Sequence, residues 1–549
     1  GSAGERAGLQ PGDEIAAWSD KRGGSGVLRT PFDLVDVKVE QAPRGVILLQ
    51  GSREREEKSW QVLPGVWGIE ARPALEPGLL SLYEQGRQRI ASGDLDGGAA
   101  LWRSVLESLA PESSSWLESR LAKAYGAAGR WSEADAAWEQ AARRVEPHHS
   151  PGAAQILDAW ARTLNQRNAH DRAEACHRRA LELLPKESLA AARHLSALGT
   201  LVRRNDPAAG EALLKQAYAI REKLAPDSLD FAASLTDLGI VAARRSESVA
   251  AGELFAKALE LQQRLAPGSL EMASSLINLA TIAQAKGDLD AAEDLFRRAI
   301  EMYERLSPKD PELARALSRL GLSEMDRGDL AIAEEHLRRA LAIREKLAPE
   351  SLLVASSFQN LGFVADRRGD LVAAEEHHRR ALAIREKIAP DSIDMAESLA
   401  NLATLERRKG NLAKADENLR RALEIQERKS SPDSANAINI RINRAGVAMN
   451  RGDLALAEEL YGRALALLES RSHLGPDASD CLEGLGMIAL ERGDLAKAEA
   501  FLQRGLILRE KLEPGSTGVA MLLNGLGRVH LRGGRRAMAA ESFCRATKA

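Results

Sequence analysis

The chain has 549 residues, 44% hydrophobic and 4% aromatic, with a formal net charge of −3. That balance lacks the basic bias of a nucleic-acid binder, and no apolar run approaches the ~18 residues that mark a membrane span. Three scattered cysteines, Cys176, Cys481 and Cys544, exclude a disulfide framework or a zinc site and read as free thiols of a reducing, cytoplasmic setting.

The chain starts at Gly1 and not at Met, so it reads as a piece of a longer protein, and a missing signal peptide means little. All eight tryptophans (Trp18, Trp60, Trp67, Trp102, Trp116, Trp131, Trp138, Trp160) lie in the first 160 residues. Residues 1 to about 72 follow no helical period. Their opening run, Gly1-Ser2-Ala3-Gly4-Glu5-Arg6-Ala7-Gly8-Leu9-Gln10-Pro11-Gly12-Asp13-Glu14-Ile15, resembles the central part of a PDZ domain of the kind attached to bacterial proteases. The resemblance implies a short helix ending at Ala7-Gly8-Leu9 and a Pro11-Gly12-Asp13 turn into a strand. It further implies a helix from Pro31 to Gln41, strands at Val46 to Gln50 and Trp60 to Leu63, and a charged hairpin tip at Arg53 to Lys58. The carboxylate-binding loop and adjoining strand of that family would precede this run and are absent. The module is thus expected to be partial, without the edge that strand addition of a peptide needs.

From about Leu79 onward the sequence repeats. Gly-Asp-Leu recurs at Gly93, Gly287, Gly328, Gly369, Gly452 and Gly493, with Gly410-Asn411-Leu412 as a near copy. From Gly287 the spacings are 41, 41, 41, 42 and 41 residues. Weaker copies at Gly129, Asn168, Asn205, Ser246 and Gly534 complete about twelve units. Seven residues before each turn stands a small residue, such as Ala280, Gly321, Gly362 or Ala403. Others follow the turn at Ala292, Ala333, Ala374 and Ala415, so two helices can approach closely. The glycine ends the first helix in a left-handed conformation. The Asp or Asn after it caps the second helix. Prolines 226, 267, 308, 349, 390 and 514 then end that helix.

This helix–turn–helix grammar resembles the tetratricopeptide repeat family, in the longer form found in kinesin light chains. The expected fold class is mainly α: a right-handed tetratricopeptide superhelical solenoid behind a small, mainly β, partial PDZ-like domain. Residues 1–72 form that domain, 73–78 a linker and 79–549 the repeats. Paired arginines such as Arg297-Arg298, Arg338-Arg339 and Arg379-Arg380 follow acidic residues three or four positions earlier and read as a solvated, ion-paired face.

The resemblance implies that first helices line a concave groove. Two positions before the small residue stands a polar column: Asp237, Asn278, Arg319, Asn360, Asn401 and Asn443. Asn is a poor helix former, and its amide offers donors and an acceptor to a peptide backbone. Thr281, Phe363 and Thr404 share that face one turn on, and Arg367 and Arg408 lie further along. The opposing expectation is that these amides only bond neighbouring helices. A lysine one position before the Asn, which a chaperone-tail clamp needs, is missing at Ile277, Ser318, Gln359, Ala400 and Ile442.

No zinc helix, phosphate loop or nucleophile elbow occurs, so no catalytic residue, metal or cofactor is expected. His377 and His378 read as surface histidines, and Cys176 and His177 as ordinary second-helix residues. The expected function is a protein-interaction scaffold for a partner protein or peptide, with no nucleic acid and no membrane. Two alternatives stand beside it. One is a homo-oligomer whose grooves are filled by a neighbouring chain. The other is the sensing arm of a larger enzyme. The order of modules resembles bacterial proteins ending in a caspase-like CHAT protease domain, and the last unit reaches Ala549 without a polar capping helix.

Overall fold

The computed structural model describes residues 2–64, 67–470 and 474–548, so Gly1 and Ala549 lie outside it. The chain divides into two compact units, Gly1–Ser307 and Pro308–Ala549.

The first unit opens with helix α1 (Ala3–Arg6), capped reciprocally by Ser2 and Glu5. Strands β1 (Glu14–Asp20), β2 (Ser25–Val27), β3 (Ile47–Arg53) and β4 (Glu56–Val62) then form an antiparallel sheet in the order β2-β1-β3-β4. The Pro11–Asp13 turn is clasped by Arg53, whose Nε lies 2.6 Å from Asp13 and whose Nη2 donates to the carbonyl of Gly8 at 2.8 Å. Both strands of the β3–β4 hairpin run further than expected. Only Glu54 and Arg55 remain as the tip, and both take positive φ (51° and 72°), as a two-residue hairpin turn requires. Gly51 sits where β1 bulges between Ile15 and Ala17, and a Cβ there would overlap the Glu14 carbonyl.

The segment expected as one helix from Pro31 to Gln41 has two parts. Helix α2 (Pro31–Asp36) is capped by Thr30 and passes into a wider π turn over Val37–Gln41. Leu34, Val37, Ile47, Leu49, Trp60, Val62 and Trp67 form the small core of this module.

Helical hairpins follow. In the first unit they are α3 (Pro77–Ala91) with α4 (Leu95–Leu106), α5 (Pro111–Ala127) with α6 (Trp131–Val145), and α7 (Ser150–Gln166) with α8 (His170–Leu183). Then come α9 (Leu189–Val202) with α10 (Pro207–Leu224), α11 (Leu229–Arg244) with α12 (Ser248–Leu265), and α13 (Leu270–Ala285) with α14 (Leu289–Leu306). The second unit begins with α15 (Pro311–Arg327) and α16 (Leu330–Leu347), α17 (Leu352–Arg367) and α18 (Leu371–Ile388), and α19 (Ile393–Arg408) and α20 (Leu412–Lys429). It ends with α21 (Ala435–Asn450) and α22 (Leu454–Ser470), α23 (Pro476–Glu491) and α24 (Leu495–Leu512), and α25 (Thr517–Arg532) and α26 (Arg536–Ala546). Helix α3 thus starts at Pro77, within the segment expected as a linker.

The turn glycines behave as the sequence implies, whereas the expected side-chain cap is missing at Asp329 and Asn411. Gly287, Gly328, Gly369, Gly410, Gly452 and Gly493 all have φ between 79° and 95°. Asp288, Asp370, Asp453 and Asp494 each accept an amide of the second helix's first turn at 3.0–3.1 Å. First helices have caps of their own: Ser228, Ser269, Ser351, Ser392 and Ser434 accept from the amide three residues on. The small residues work by admitting a neighbour. Leu337 lies against Gly321 and Leu502 against Gly486, each where a Cβ would come within 3 Å of the side chain.

Helix α2 is seated on the repeats of its own unit. Phe32 joins their core, and Glu40 caps α9 by accepting the amides of Leu189 (3.1 Å) and Ala190 (2.7 Å). His149 Nε2 lies 3.1 Å from Asp33 and 3.4 Å from Asp36, while Gln155 Nε2 donates to Asp36 at 2.6 Å. Burial pushes the Asp36 carboxyl up to about 6, with His149 and the Gln155 amide pulling it back.

Candidate binding groove

Within the second unit, successive first helices touch one another: α15 with α17, α19 with α21, α21 with α23 and α23 with α25. No pair of second helices comes as close among the described residues. First helices therefore lie on the inner side of the stack. A row of ion pairs joins their C-terminal ends. Arg367 reaches the Met325 carbonyl at 2.7 Å and Asp326 at 3.4 Å, Arg408 pairs with Asp366, and Arg528 meets Glu491 at 3.0 Å.

Asn360 and Asn401 are half-buried on their first helices, and Arg319 and Asn443 are exposed. None of the four side chains bonds another described residue. That removes, for Asn360, Asn401 and Asn443, the expectation that the amides serve only to link helices. The flanking positions differ from expectation. Thr404 donates its hydroxyl to the Ala400 carbonyl one turn back, at 3.1 Å. The Phe363 ring packs edge-on against His378 at 5.4 Å, and Arg367 and Arg408 are held in the ion pairs just described. These four side chains are engaged within the fold.

In the first unit the same column holds Asp237 and Asn278. Burial pushes the Asp237 carboxyl up to about 6, and Arg221 and Arg203 oppose the shift. Asn278 has a partner, and Thr281 bonds back to the Ile277 carbonyl at 2.8 Å.

The sequence reading missed a set of inward-turned arginines. Arg221, Arg344 and Arg385, each in an Ile-Arg-Glu-Lys run, reach in from a second helix, Arg221 and Arg385 buried and Arg344 half-buried. They donate to serines of the next first helix: Arg221 to Ser234 at 2.6 Å, Arg344 to Ser357 at 2.6 Å, and Arg385 to Ser398. Arg385 also donates to Gln359, beside Asn360. The recurrence of Arg at one phase of the repeat was the available signal.

One histidine differs from expectation: His378 is buried and not on the surface. His177, in its second helix, is buried against His194 with their Nδ1 atoms 3.0 Å apart. Burial lowers the pKa of His177 and takes His194 and His378 down to about 4, so these rings are neutral near pH 7. Asp158 lies close enough to His177 and His194 to make a metal-like trio. Arg162 (3.2 Å) and Arg193 (3.0 Å) already neutralise that carboxylate and oppose a dication. No described helix is long and apolar enough to cross a membrane.

The family model described as "Tetratricopeptide repeat" matches residues 230–305, 312–387, 394–470, 433–511 and 477–549. No curated protein sequence matches the chain. Solved structures of similar fold include a Rap protein complexed with Competence and Sporulation Factor. It is 17% identical, covers 65% of this chain and 98% of that one, and has a TM-score of 0.45. BtubC (BKLC) from P. vanneervenii is 22% identical over 40% of this chain and 87% of its own, with a TM-score of 0.34. A tetratricopeptide repeat protein from Parabacteroides merdae is 21% identical over 50% of this chain and 92% of its own, with a TM-score of 0.37. These likenesses concern the fold alone. With family matches that together take in more than half of its length, the chain belongs to the tetratricopeptide repeat family, and its solenoid fits a protein-interaction scaffold.

Proposed function

We propose that the inner face of the second unit holds an extended segment of a partner protein through the side-chain amides of Asn360, Asn401 and Asn443. The observation that carries this reading is their shared position on three successive first helices, with no bond to another described residue. An amide both donates and accepts, so one per repeat suits the alternating N–H and C=O groups of an extended backbone. Arg319, exposed at the preceding repeat, adds a cation at one end of the row.

The N-terminal sheet belongs to this reading as a partial PDZ-like module. Its support is the Pro11–Asp13 turn into β1 and the helix from Pro31 that follows. That helix is engaged with the repeats, which leaves peptide capture to the solenoid. The alternative of a sensing arm for a larger enzyme has no observation among the described residues in its favour.

The test uses peptides selected against the full chain from a random display library. Replacing Asn360, Asn401 and Asn443 together by Ala is expected to weaken a selected peptide by about tenfold or more. Ala is the better helix former, so circular dichroism should show helicity kept. Unchanged affinity would reject the groove.

A further inference from the structure

We propose that the cavity between α2 and the repeats of the first unit is a binding site for a small organic anion with a flat apolar body. The site shares no residue with the asparagine column, so it stands or falls separately from it. The cavity measures about 310 Å³ and opens to solvent on one side. Its apolar wall comes from Phe32 and Leu34 of α2, Trp67 of the segment after the sheet, Trp116 of α5 and Ile156 of α7.

Charge is what sets this cavity apart. Lys38, Arg120, Lys123, Arg162 and Arg193 line it, against only Glu70 and Asp158. Arg120 lies 3.5 Å from Glu70, and Arg162 and Arg193 share Asp158. Lys38 and Lys123 are left without an ion pair or hydrogen bond among the described residues. Both lysine side chains are exposed at the rim of the cavity, and desolvation there, followed by the nearby arginines, lowers their pKa. Like charges held around one space repel, and an anion entering that space relieves the repulsion. The wall also holds an unpartnered polar group. Trp67 is 1% exposed, and its buried indole Nε1 has no acceptor among the described residues. A buried donor without a partner is rare in a folded protein, and this one belongs to a cavity-wall residue.

The volume suits a small molecule, since ligand sites begin near 300 Å³. The ring of such a ligand would lie along Trp116 and Ile156, and its anionic group between the two lysines.

The test titrates the full chain with 2-naphthoate and with 2-naphthamide, which share a ring and differ in charge. Binding is followed by tryptophan fluorescence and calorimetry. The naphthoate is expected to bind once per chain and about tenfold tighter than the amide at low salt, with the advantage shrinking as salt rises. Lys38→Gln combined with Lys123→Gln should abolish the advantage and leave the amide's affinity unchanged. Without ligand this double variant should melt no lower than the parent, because only repulsion has been removed. Equal binding of both probes, binding of neither, or a preference that survives the double variant overturns the proposal.

Discussion

The imidazole of His378 lies directly over the bare α-carbon of Gly362, so close that a Cβ there would come within 2.7 Å of the ring. The same device recurs with other partners, as Phe255 over Gly239 and Phe543 over Gly527. Helices of one hairpin can then approach to backbone distance. Gly362→Ala should destabilise the second unit by about 1–3 kcal/mol, the range for overfilling a packed core. Urea denaturation of the full chain, followed by helicity, measures it. An unchanged midpoint would mean that the ring swings aside freely.

His378 also gives the second unit a pH dependence. Burial takes its pKa from 6.5 down to about 4 in the folded chain. Between those values the unfolded chain binds more protons, so stability rises with pH. The contribution is fully present above pH 6.5 and is lost as pH falls through 4, amounting to about 3 kcal/mol at most. His378→Leu copies the Leu337–Gly321 pair and should flatten that acid slope. Hydrogen exchange in α17 and α18 at pH 7 and pH 4.5 reads the difference.

Arg385 is 3% exposed and bonds neutral serines, with no carboxylate in an ion pair. A buried charge held only by neutral hydroxyls and the Gln359 amide oxygen is expensive to desolvate. Arg385→Met should therefore leave stability unchanged or raise it. Ser398→Ala, which keeps the charge and removes a partner, should lower it by about 1–3 kcal/mol. Thermal unfolding of the two variants decides whether this arginine stabilises the fold or holds Gln359 and its neighbours in register.

Glu40 fastens the N-terminal module to α9 across 149 residues of sequence. Glu40→Ala removes that cap and should cost about 1 kcal/mol, the usual value of an N-terminal helix cap. Amide exchange over residues 31–44 should quicken while the distant helices α23 to α26 stay unchanged. Equal exchange in both proteins would mean that Phe32, His149 and Gln155 hold α2 in place without Glu40.

Much of this fold was legible because its signals are local. A glycine that must take positive φ, an Asp that caps the next helix and a small residue seven places earlier all act within one hairpin. Repetition made them unmistakable, as at Gly369, Asp370 and Gly362. The site was legible only in part. The Asn column was visible as a phase of the repeat, but the ion pairs of Arg367 and Arg408 depend on the neighbouring repeat.

By itself, then, the sequence determined the helical hairpins and their order, because backbone conformation and packing between adjacent helices follow from residues at most a few turns apart. Only the tertiary structure decided three further features. Helix α2 sits on the repeats, Arg385 and its counterparts turn inward, and Lys38 and Lys123 border one cavity. Each brings together residues from separate elements, and contacts of that kind leave no periodic trace in the chain.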